Sequence, residues 1–421
     1  MSLLIRGGLV LTGSGMVNAD VLVEGDGVTA IGLDLQADSE IDASGCWVGP
    51  GLVDLHTHLR QPGFEWKEDI ASGSRAAAAG GYTAVLAMPN TEPAVDSGAV
   101  ARFVASEGRS AGLCEVAVAG AISAGRNGEY LAHLDELWEA GARIFTDDGN
   151  CLANSGLLRA AMEYLAGRGG VIAQHCEDTG LSDGGHMHEG AVSSLLGIGG
   201  IPALAEESIL ARDLALVRLT GVAYHAMHLS TAGSVDLIAR AKAEGLPVTA
   251  EATPHHLTFD DATVRSLDPT YKMYPPLRGI ADLEALRSGV AGGVIDAVAT
   301  DHAPHAPHEC EVPFEEAPRG VIGLETAAAA VNTALSPTPE VFFDRMSTAP
   351  ARIARLQRHG LPVEPGGPAN LVVFAPGQDW IPVSFISKSA NSPFLGAELR
   401  GRVMHTIWEG KVTHSTVEAR A

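Results

Sequence analysis

The sequence predicts an α/β protein, a (β/α)₈ TIM-like barrel that carries a small β-sandwich domain built from both chain ends. Apolar, β-branched runs alternate with Ala- and Leu-rich helical segments between residues 50 and 350, which is typical of a parallel sheet. Eight such units within about 300 residues suggest a closed barrel, with an open doubly wound sheet as the alternative. The chain ends read instead as short strands joined by Gly- and Asp-bearing turns. We therefore predict a barrel domain at 50–350 and one composite β-domain from 1–49 plus 351–421.

The predicted elements follow one another without a low-complexity tract or an internal repeat. In the amino-terminal segment, strands are predicted at 3–6, 8–11, 20–24 and 27–31. The barrel strands are predicted at 51–56, 83–88, 115–119, 142–146, 171–175, 222–228, 247–252 and 296–300. Helices between them include those predicted at 67–79, 157–167, 205–219 and 234–244. Apolar runs at 370–374 and 401–412 complete the β-domain.

The net charge of −23 argues against some classes of binding partner. A strongly acidic chain is a poor partner for nucleic acid or an anionic membrane, although the field at a metal site can still attract an anionic substrate. No run approaches the roughly 18 apolar residues of a membrane span, and the start has no signal-peptide pattern. The five cysteines are scattered and form no C-x-x-C pair, so disulfides are not expected and the cytoplasm is the predicted location.

Polar, titratable side chains follow seven of the eight predicted barrel strands, at the end where such barrels carry their chemistry. The first strand ends in His56-Thr57-His58, and strand side chains two apart point to the same side, so both imidazoles aim at one point. Two neighbouring neutral imidazoles suit a metal better than a packed core. The other strand ends carry Asn90, Asp147 with Asp148, His175, His225 with His228, His255 with His256, and Asp301 with His302 and His305.

Four histidines and two carboxylates are enough for two metals that share a bridging ligand. Barrels of this kind often bridge the metals with a carbamylated lysine, but no lysine occurs between Lys67 and Lys242. The carboxylate at the fourth strand must therefore come from Asp147 or Asp148, and strand parity does not choose between them. The pattern predicts a metal-dependent hydrolase.

The residues around these strand ends form longer motifs. They include DLHTHLRQPG at 54–63, FTDDG at 145–149, EATPHH at 251–256, PPLR at 275–278 and ATDHAPH at 299–305. These motifs resemble the amidohydrolase superfamily and, within it, the longer, type I dihydroorotases, and the resemblance runs nearly end to end. The His-x-His pair alone marks only the superfamily, whereas the fourth-strand and eighth-strand motifs are specific to the dihydroorotase class.

The resemblance implies a role for each matching residue. Its metal ligands would be His56, His58 and Asp301 on one metal, His175 and His228 on the other, and Asp148 at the bridging position. Its substrate-binding positions are His58, Arg60, Asn90, His305 and Gly320, of which Arg60, Asn90 and His305 would hold a carboxylate. A guanidinium fork matches a carboxylate, and an amide or imidazole adds directional hydrogen bonds.

The activity that the resemblance implies is the reversible cyclisation of N-carbamoyl-L-aspartate to L-dihydroorotate in pyrimidine (UMP) synthesis. In the hydrolytic direction, a hydroxide that bridges the two metals attacks the cyclic amide, and Asp301 serves as general acid and base. Two divalent metals per subunit are implied, with zinc as the first choice for a set of His and carboxylate ligands. A homodimer and an association with aspartate transcarbamoylase are further implications, without a nucleic acid or membrane partner.

Two positions depart from the family pattern. Tyr274 stands where dihydroorotases often have Asn, and Arg319 stands where they often have Phe, both at positions that usually line the pyrimidine ring. A cyclic amidase such as a hydantoinase or allantoinase is one alternative function, although those relatives usually carry the missing fourth-strand lysine. A non-catalytic scaffold for aspartate transcarbamoylase is the other, although such scaffolds typically lose the metal ligands that this chain keeps.

Overall fold

The computed structural model describes residues 2–416, which form both antiparallel and parallel sheets. The strands are β1 (Ser2–Thr12), β2 (Gly15–Glu24), β3 (Gly27–Gly32), β4 (Ser39–Asp42), β5 (Trp47–Pro50), β6 (Leu52–Thr57), β7 (Tyr82–Ala87), β8 (Glu115–Val118), β9 (Ile144–Phe145), β10 (Val171–Gln174), β11 (Met187–His188), β12 (Gly200–Ile201), β13 (Ala223–Ala226), β14 (Val248–Ala252), β15 (Ala297–Val298), β16 (Leu371–Trp380), β17 (Leu399–Trp408) and β18 (Lys411–Ser415).

Helices separate most of the central strands. They are α1 (Ile70–Ala79), α2 (Gly98–Ala111), α3 (Leu134–Glu139), α4 (Ser155–Ala166), α5 (Thr179–Ser182), α6 (Ala191–Leu196), α7 (Leu204–Thr220), α8 (Ala232–Ala243), α9 (Ile280–Gly292), α10 (Pro307–Cys310), α11 (Ala327–Leu335), α12 (Pro339–Phe343) and α13 (Ala349–Ile353). Short 3₁₀ turns lie at Ala124–Arg126, Asp261–Ser266 and Pro269–Tyr271, and a π-helical turn at Asp344–Thr348 joins α12 to α13. Among the described residues, no helix combines the length and apolarity needed to span a bilayer.

One sheet of eight strands joins the two ends of the chain. Its order is β18-β17-β16-β5-β1-β2-β3, with β4 paired to β1. The central pairing of β16 with β5 is antiparallel and sets Val373 opposite Val48, so that the carboxyl-terminal segment completes an amino-terminal sheet. Ile5, Val10 and Val21 are fully buried and share an apolar core with these two valines. The domain boundaries given above stay a prediction, and residues 417–421 lie outside the described part of the chain.

The central strands form two parallel sheets, one of β6-β7-β8 and one of β9-β10-β13-β14-β15. Single parallel bridges link the two sheets at both edges, Gly120 to Phe145 on one side and Thr57 to His302 on the other. The carboxyl ends of all these strands therefore lie at one end of the assembly, which is where the predicted site residues follow the strands.

The helix ends differ from the predicted ones by up to three residues because side-chain caps set them. The helix expected from residue 67 begins at Ile70, since Asp69 accepts a hydrogen bond from the Ser72 amide at 2.7 Å and Ser72 caps the Asp69 amide in return. The side chains of Asn154 and Thr231 likewise cap α4 and α8, so that these helices begin two residues before the predicted start. Helix α7 ends at Thr220, and the Gly221 that caps it has a φ of 68°.

Three strand predictions need correction. The strands expected at 3–6 and 8–11 are one strand, β1, because a bulge between Ile5 and Gly8 lets the pairing with β2 continue. The run expected at 401–412 is a hairpin of β17 and β18. Strand β15 is shorter than the expected 296–300, since the Thr300 amide donates to the Asp54 carboxylate at 3.0 Å rather than to a neighbouring strand.

An aromatic cluster packs the eight-stranded sheet against helix α12. The rings of Phe342 and Phe374 are stacked at 4.8 Å, and Trp47 lies 5.6 Å and 5.8 Å from them. Gly401 leaves room for this cluster, because a Cβ there would lie 2.4 Å from the Phe374 ring and its φ is 106°. The cluster therefore couples the folding of the two chain ends to that of the middle.

Replacing Phe374 with alanine tests this coupling. Phe374 is fully buried, so we expect F374A to destabilise the protein by about 3–5 kcal/mol, seen as a lower Tm in calorimetry. Phe103 is 40% exposed on α2, and F103A should change stability by no more than about 0.5 kcal/mol. Equal Tm values for the two variants would show that the cluster does not hold the sheet in place.

Candidate metal centre

The two histidines of the first central strand face the same volume. His56 lies on β6 and His58 just beyond it, where its amide donates to the His302 carbonyl at 2.9 Å. Their ring centroids are 5.2 Å apart, and His56 is fully buried while His58 is 6% exposed. The Nε2 atoms of both rings approach the same two carboxylates, those of Asp148 and Asp301.

Asp148 lies between two pairs of histidines. Its Oδ2 is 3.2 Å from His56 Nε2 and 3.5 Å from His58 Nε2, while its Oδ1 is 3.6 Å from His228 Nε2 and 3.9 Å from His175 Nδ1. Burial alone would raise the pKa of Asp148, but the nearby imidazoles of His56 and His228 outweigh it and hold the pKa well below its usual range. One carboxylate thus reaches both halves of the cluster, each oxygen toward a different pair.

Asp301 joins only the first pair of histidines. Its Oδ1 lies 3.0 Å from His58 Nε2 and 3.4 Å from His56 Nε2. The residue has a φ of 49°, and its neighbour Thr300 is tied through both its amide and its hydroxyl to the buried carboxylate of Asp54 on β6. These bonds to the neighbouring strand hold the Asp301 backbone in an uncommon conformation and thereby fix the position of its carboxylate. Burial opposes its ionisation, yet His56 and His58 lower its pKa below the usual range.

Each of three histidines has its second ring nitrogen already bound. His56 Nδ1 is 2.9 Å from Glu251 Oε1, His58 Nδ1 is 2.8 Å from Asn90 Oδ1, and His175 Nε2 is 2.8 Å from Glu177 Oε2. These acceptors hold an N–H on the outer nitrogen of each ring. The inner nitrogens face the cluster, where His58 Nε2 lies 3.0 Å from Asp301 Oδ1 and His175 Nδ1 lies 2.9 Å from His228 Nε2. The sequence motifs assigned no role to Glu251 or Glu177, although a glutamate inside an apolar strand run is a signal that could have found Glu251.

The free donor atoms suit divalent metals. His56 Nε2 and Asp148 Oδ1 are buried without a hydrogen-bond partner in the described structure. Ligand atoms of His56, His58 and Asp148 lie within 4.8 Å of one another, and so do those of Asp148, His175 and His228. Unpartnered, buried imidazole nitrogens and carboxylate oxygens that converge in this way match the ligands of zinc and related ions.

The neighbouring Asp147 has a different role. Its Oδ1 accepts hydrogen bonds from the amides of Ile122 at 2.9 Å and Ser123 at 3.0 Å, and its Oδ2 accepts from the Ser123 hydroxyl. Burial raises the pKa of Asp147, and these hydrogen bonds oppose the rise. The sequence left Asp147 and Asp148 as equal candidates. In the structure, the Asp148 side chain points into the histidine cluster, whereas the Asp147 side chain binds the loop before α3.

The predicted substrate residues lie beside this cluster. Arg60 donates from Nε to the Pro304 carbonyl at 3.2 Å and forms no ion pair within the part of the chain that the structure describes. Burial lowers the pKa of Arg60 to about 10, so it stays a cation at neutral pH. His305 donates from Nε2 to the Arg319 carbonyl at 2.9 Å, and its Nδ1 is a buried atom without a partner among residues 2–416.

Gly320 lies close to His305. Its φ is 110°, and a Cβ there would lie 2.7 Å from the Ala303 side chain and 3.8 Å from His305 Nε2. Its amide donates to the Lys272 carbonyl at 2.8 Å, and its carbonyl accepts from the Asn391 amide group at 3.0 Å. A side chain at this position would therefore enter the space beside His305.

Tyr274 and Arg319, the two departures from the family pattern, contact each other at the edge of the cluster. The Tyr274 ring lies 4.7 Å from that of His175, and the Arg319 guanidinium lies 4.2 Å from the Tyr274 ring centroid. Arg319 also donates to the Gly185 carbonyl at 2.6 Å. Arg319 thus lies over the Tyr274 ring, which in turn is tilted against His175, a predicted metal ligand.

Comparison with known proteins places the chain in a family. A family described as "Dihydro-orotase-like" matches residues 45–234. A dihydroorotase of Streptomyces coelicolor is 47% identical over 423 residues, covering 97% of each chain, and one of Mycobacterium leprae is 47% identical over 98% of each. The chain belongs to the dihydroorotase family. This membership confirms the resemblance inferred from the motifs.

A solved structure shares the fold. The L-hydantoinase (dihydropyrimidinase) from Arthrobacter aurescens superimposes with a TM-score of 0.88 at 23% sequence identity, over 100% of this chain and 97% of the other. At this level of identity, the likeness concerns the fold alone.

Replacing each of the two neighbouring aspartates with asparagine should separate their effects. In D148N, the carboxylate among four histidines is lost, so we expect most bound divalent metal to be lost and the Tm to fall toward that of the metal-free parent protein. In D147N, the metal should stay, and the altered loop contacts should cost about 1–3 kcal/mol of stability. Elemental analysis after gel filtration and calorimetry measure both properties. Full metal retention by D148N would contradict the assignment.

Proposed function

We propose that this chain is a dihydroorotase that interconverts N-carbamoyl-L-aspartate and L-dihydroorotate in pyrimidine synthesis. The observation that carries the proposal is Arg60, a partly buried guanidinium without an ion pair in the described residues, beside a cluster of metal-type ligands. A desolvated cation of this kind favours a substrate with its own carboxylate. The family relationship supports the same activity.

We further infer that the eight central strands close into a (β/α)₈ barrel. The order of the two parallel sheets and the bridges at Gly120–Phe145 and Thr57–His302 support this arrangement. In such a barrel, the site residues share the carboxyl-terminal face.

Two divalent metals would complete the site, with zinc as the first choice. His56, His58 and Asp301 would hold one metal, His175 and His228 the other, and Asp148 both. When bound, the metals would supply polarisation of the amide carbonyl and acidity to the attacking water. A set of two carboxylates and four neutral imidazoles offers these ions both charge and directed lone pairs.

The substrate carboxylate would bind opposite the metals. Arg60 has its two terminal nitrogens available for a fork of hydrogen bonds. Asn90 uses its Oδ1 for His58, which leaves its amide N–H groups to donate to a carboxylate. His305 and the backbone at Gly320 line the same side. His58 would contact the substrate from the metal side.

Asp301 is proposed as the group that moves the proton. Its Oδ1 faces His56 and His58, while its Oδ2 forms no hydrogen bond within residues 2–416. In hydrolysis, the water oxygen bonds to the amide carbon as the ring carbon–nitrogen bond breaks. Asp301 takes the proton from the water and passes it to the leaving ring nitrogen, and cyclisation reverses these steps.

The proposal also covers the cellular location of the protein and its protein partners. A cytoplasmic location agrees with five free cysteines among the described residues. A homodimer and an association with aspartate transcarbamoylase remain proposals, and light scattering with and without added transcarbamoylase would test both.

The decisive experiment follows dihydroorotate hydrolysis spectrophotometrically at alkaline pH, with hydantoin and allantoin in parallel. We expect turnover of dihydroorotate and much slower turnover of the rings that lack a carboxylate. Preference for hydantoin or allantoin would favour another cyclic amidase. No turnover of any ring by metal-loaded protein would favour a non-catalytic scaffold.

The variant D301N tests the proton-transfer role. An amide cannot take up the proton, so we expect dihydroorotate turnover to disappear while circular dichroism and Tm stay close to those of the parent. Substantial turnover in purified, folded D301N would exclude Asp301 as the general acid and base.

The variant R60Q tests carboxylate recognition. Loss of a charged hydrogen-bonding partner should lower kcat/KM for dihydroorotate by about 10- to 100-fold, since such bonds contribute about 1.5–3 kcal/mol. The exposed Arg75 on α1 supplies the control, and R75Q should leave kcat/KM unchanged. An equal, small effect of both substitutions would remove Arg60 from the substrate site.

A further inference from the structure

Two buried glutamates contact the histidines of the cluster from behind, one in each half. Glu251 contacts His56 at 2.9 Å, and Glu177 contacts His175 at 2.8 Å. The two contacts use opposite ring nitrogens, Nδ1 of His56 and Nε2 of His175, so each leaves the other nitrogen turned toward Asp148. A role of these glutamates in metal retention rests on the proposed two-metal function.

Glu251 is held by partners on both of its oxygens. Its Oε1 lies against His56, and its Oε2 is 3.0 Å from His225 Nε2. His225 is fixed in turn by Thr249, whose hydroxyl oxygen lies 2.8 Å from His225 Nδ1. Glu251 is 1% exposed, so water does not compete for its oxygens. His56 is therefore fixed by a buried chain of three side chains that lies wholly outside the predicted ligand set.

Glu177 also has more than one partner. Its Oε2 contacts His175, and burial alone would raise its pKa, but hydrogen bonding with His175, Ser182 and Tyr274 lowers it. It lies on the loop after β10 rather than on a strand, and the ring packed against its histidine is that of Tyr274 at 4.7 Å. Each half of the cluster thus has a buried glutamate behind one of its histidines.

We propose that Glu251 and Glu177 are positioning residues, each of which sets the retention of the metal held by its own histidine. A carboxylate that accepts the N–H of a ligand histidine fixes its tautomer and makes the other nitrogen a stronger donor. Removing the negative charge from either glutamate should weaken only the metal on its side.

Metal release by a chelator tests this proposal. The full chain is loaded with Co²⁺, titrated with dipicolinate, and followed by cobalt absorption and by elemental analysis of the retained metal. For the parent protein we expect two steps. The variant E177Q should move one of the two steps to a 10- to 100-fold lower chelator concentration, and E251Q should move only the other step by a similar factor.

A glutamate–histidine contact elsewhere in the chain supplies the matched control. Glu115 lies 2.8 Å from His359 Nε2, away from the cluster, so E115Q should move neither step. Circular dichroism and Tm verify that all three variants are folded. Equal shifts of both steps in one variant, no shift in either glutamate variant, or release in a single step would overturn the proposal.

Dihydroorotate turnover by the same parent sample reports on the proposed function separately. Selective shifts without turnover would retain the positioning roles and reject the activity. Turnover without selective shifts would retain the activity and reject the positioning roles.

Discussion

The burial of two carboxylates is the constraint on which the rest of the site depends. Asp148 is 2% and Asp301 7% exposed, and a carboxylate away from water is costly unless charges or hydrogen bonds compensate. The compensation comes from imidazoles that bring N–H groups and positive charge, since Asp148 raises the pKa of His56 and of His228 against the opposing effect of burial. The outer ring nitrogens of His56, His58 and His175 then need acceptors of their own, and Glu251, Asn90 and Glu177 supply them.

This requirement explains why the site needs so many strands. A single strand end can present two side chains to one point, as His56 and His58 do, but not their acceptors. Glu251 arrives from β14, Asn90 follows β7, and Glu177 follows β10. Parallel strands bring all of these ends to one face, so polar groups far apart in sequence are paired without exposing the site to water.

Much of the site could be predicted from the sequence, because its residues follow apolar strand runs that are easy to locate. The choice between Asp147 and Asp148 could not, since β9 is only two residues long and the alternation of side chains stops before it reaches them. The bond from Thr300 to Asp54 spans 246 residues and has no local pattern. Glutamates such as Glu177 look like ordinary loop residues until the tertiary structure places them beside a histidine.

The positions of the strands could be predicted from the sequence, but the ends of the elements could not. Hydrophobic periodicity and composition predicted where the central strands lie. Side-chain caps shifted the helix ends, and a bulge merged two predicted strands into β1. These features depend on single side chains such as Asp69 and on the twist of the sheet, which hydrophobic periodicity does not contain.

The two departures from the family pattern bear on how an acidic protein attracts an acidic substrate. Arg319 stacks on Tyr274 instead of pairing with a carboxylate, and it forms no ion pair within residues 2–416. Together with Arg60 it adds a second uncompensated guanidinium near the cluster, although the whole chain carries a net charge of −23. Because screening in salt limits the reach of surface charges to about 10 Å, the distant carboxylates of the chain act weakly at the site, where the nearby charges decide. The attraction for an anionic substrate is therefore local, and the net charge of the chain is a poor guide to it.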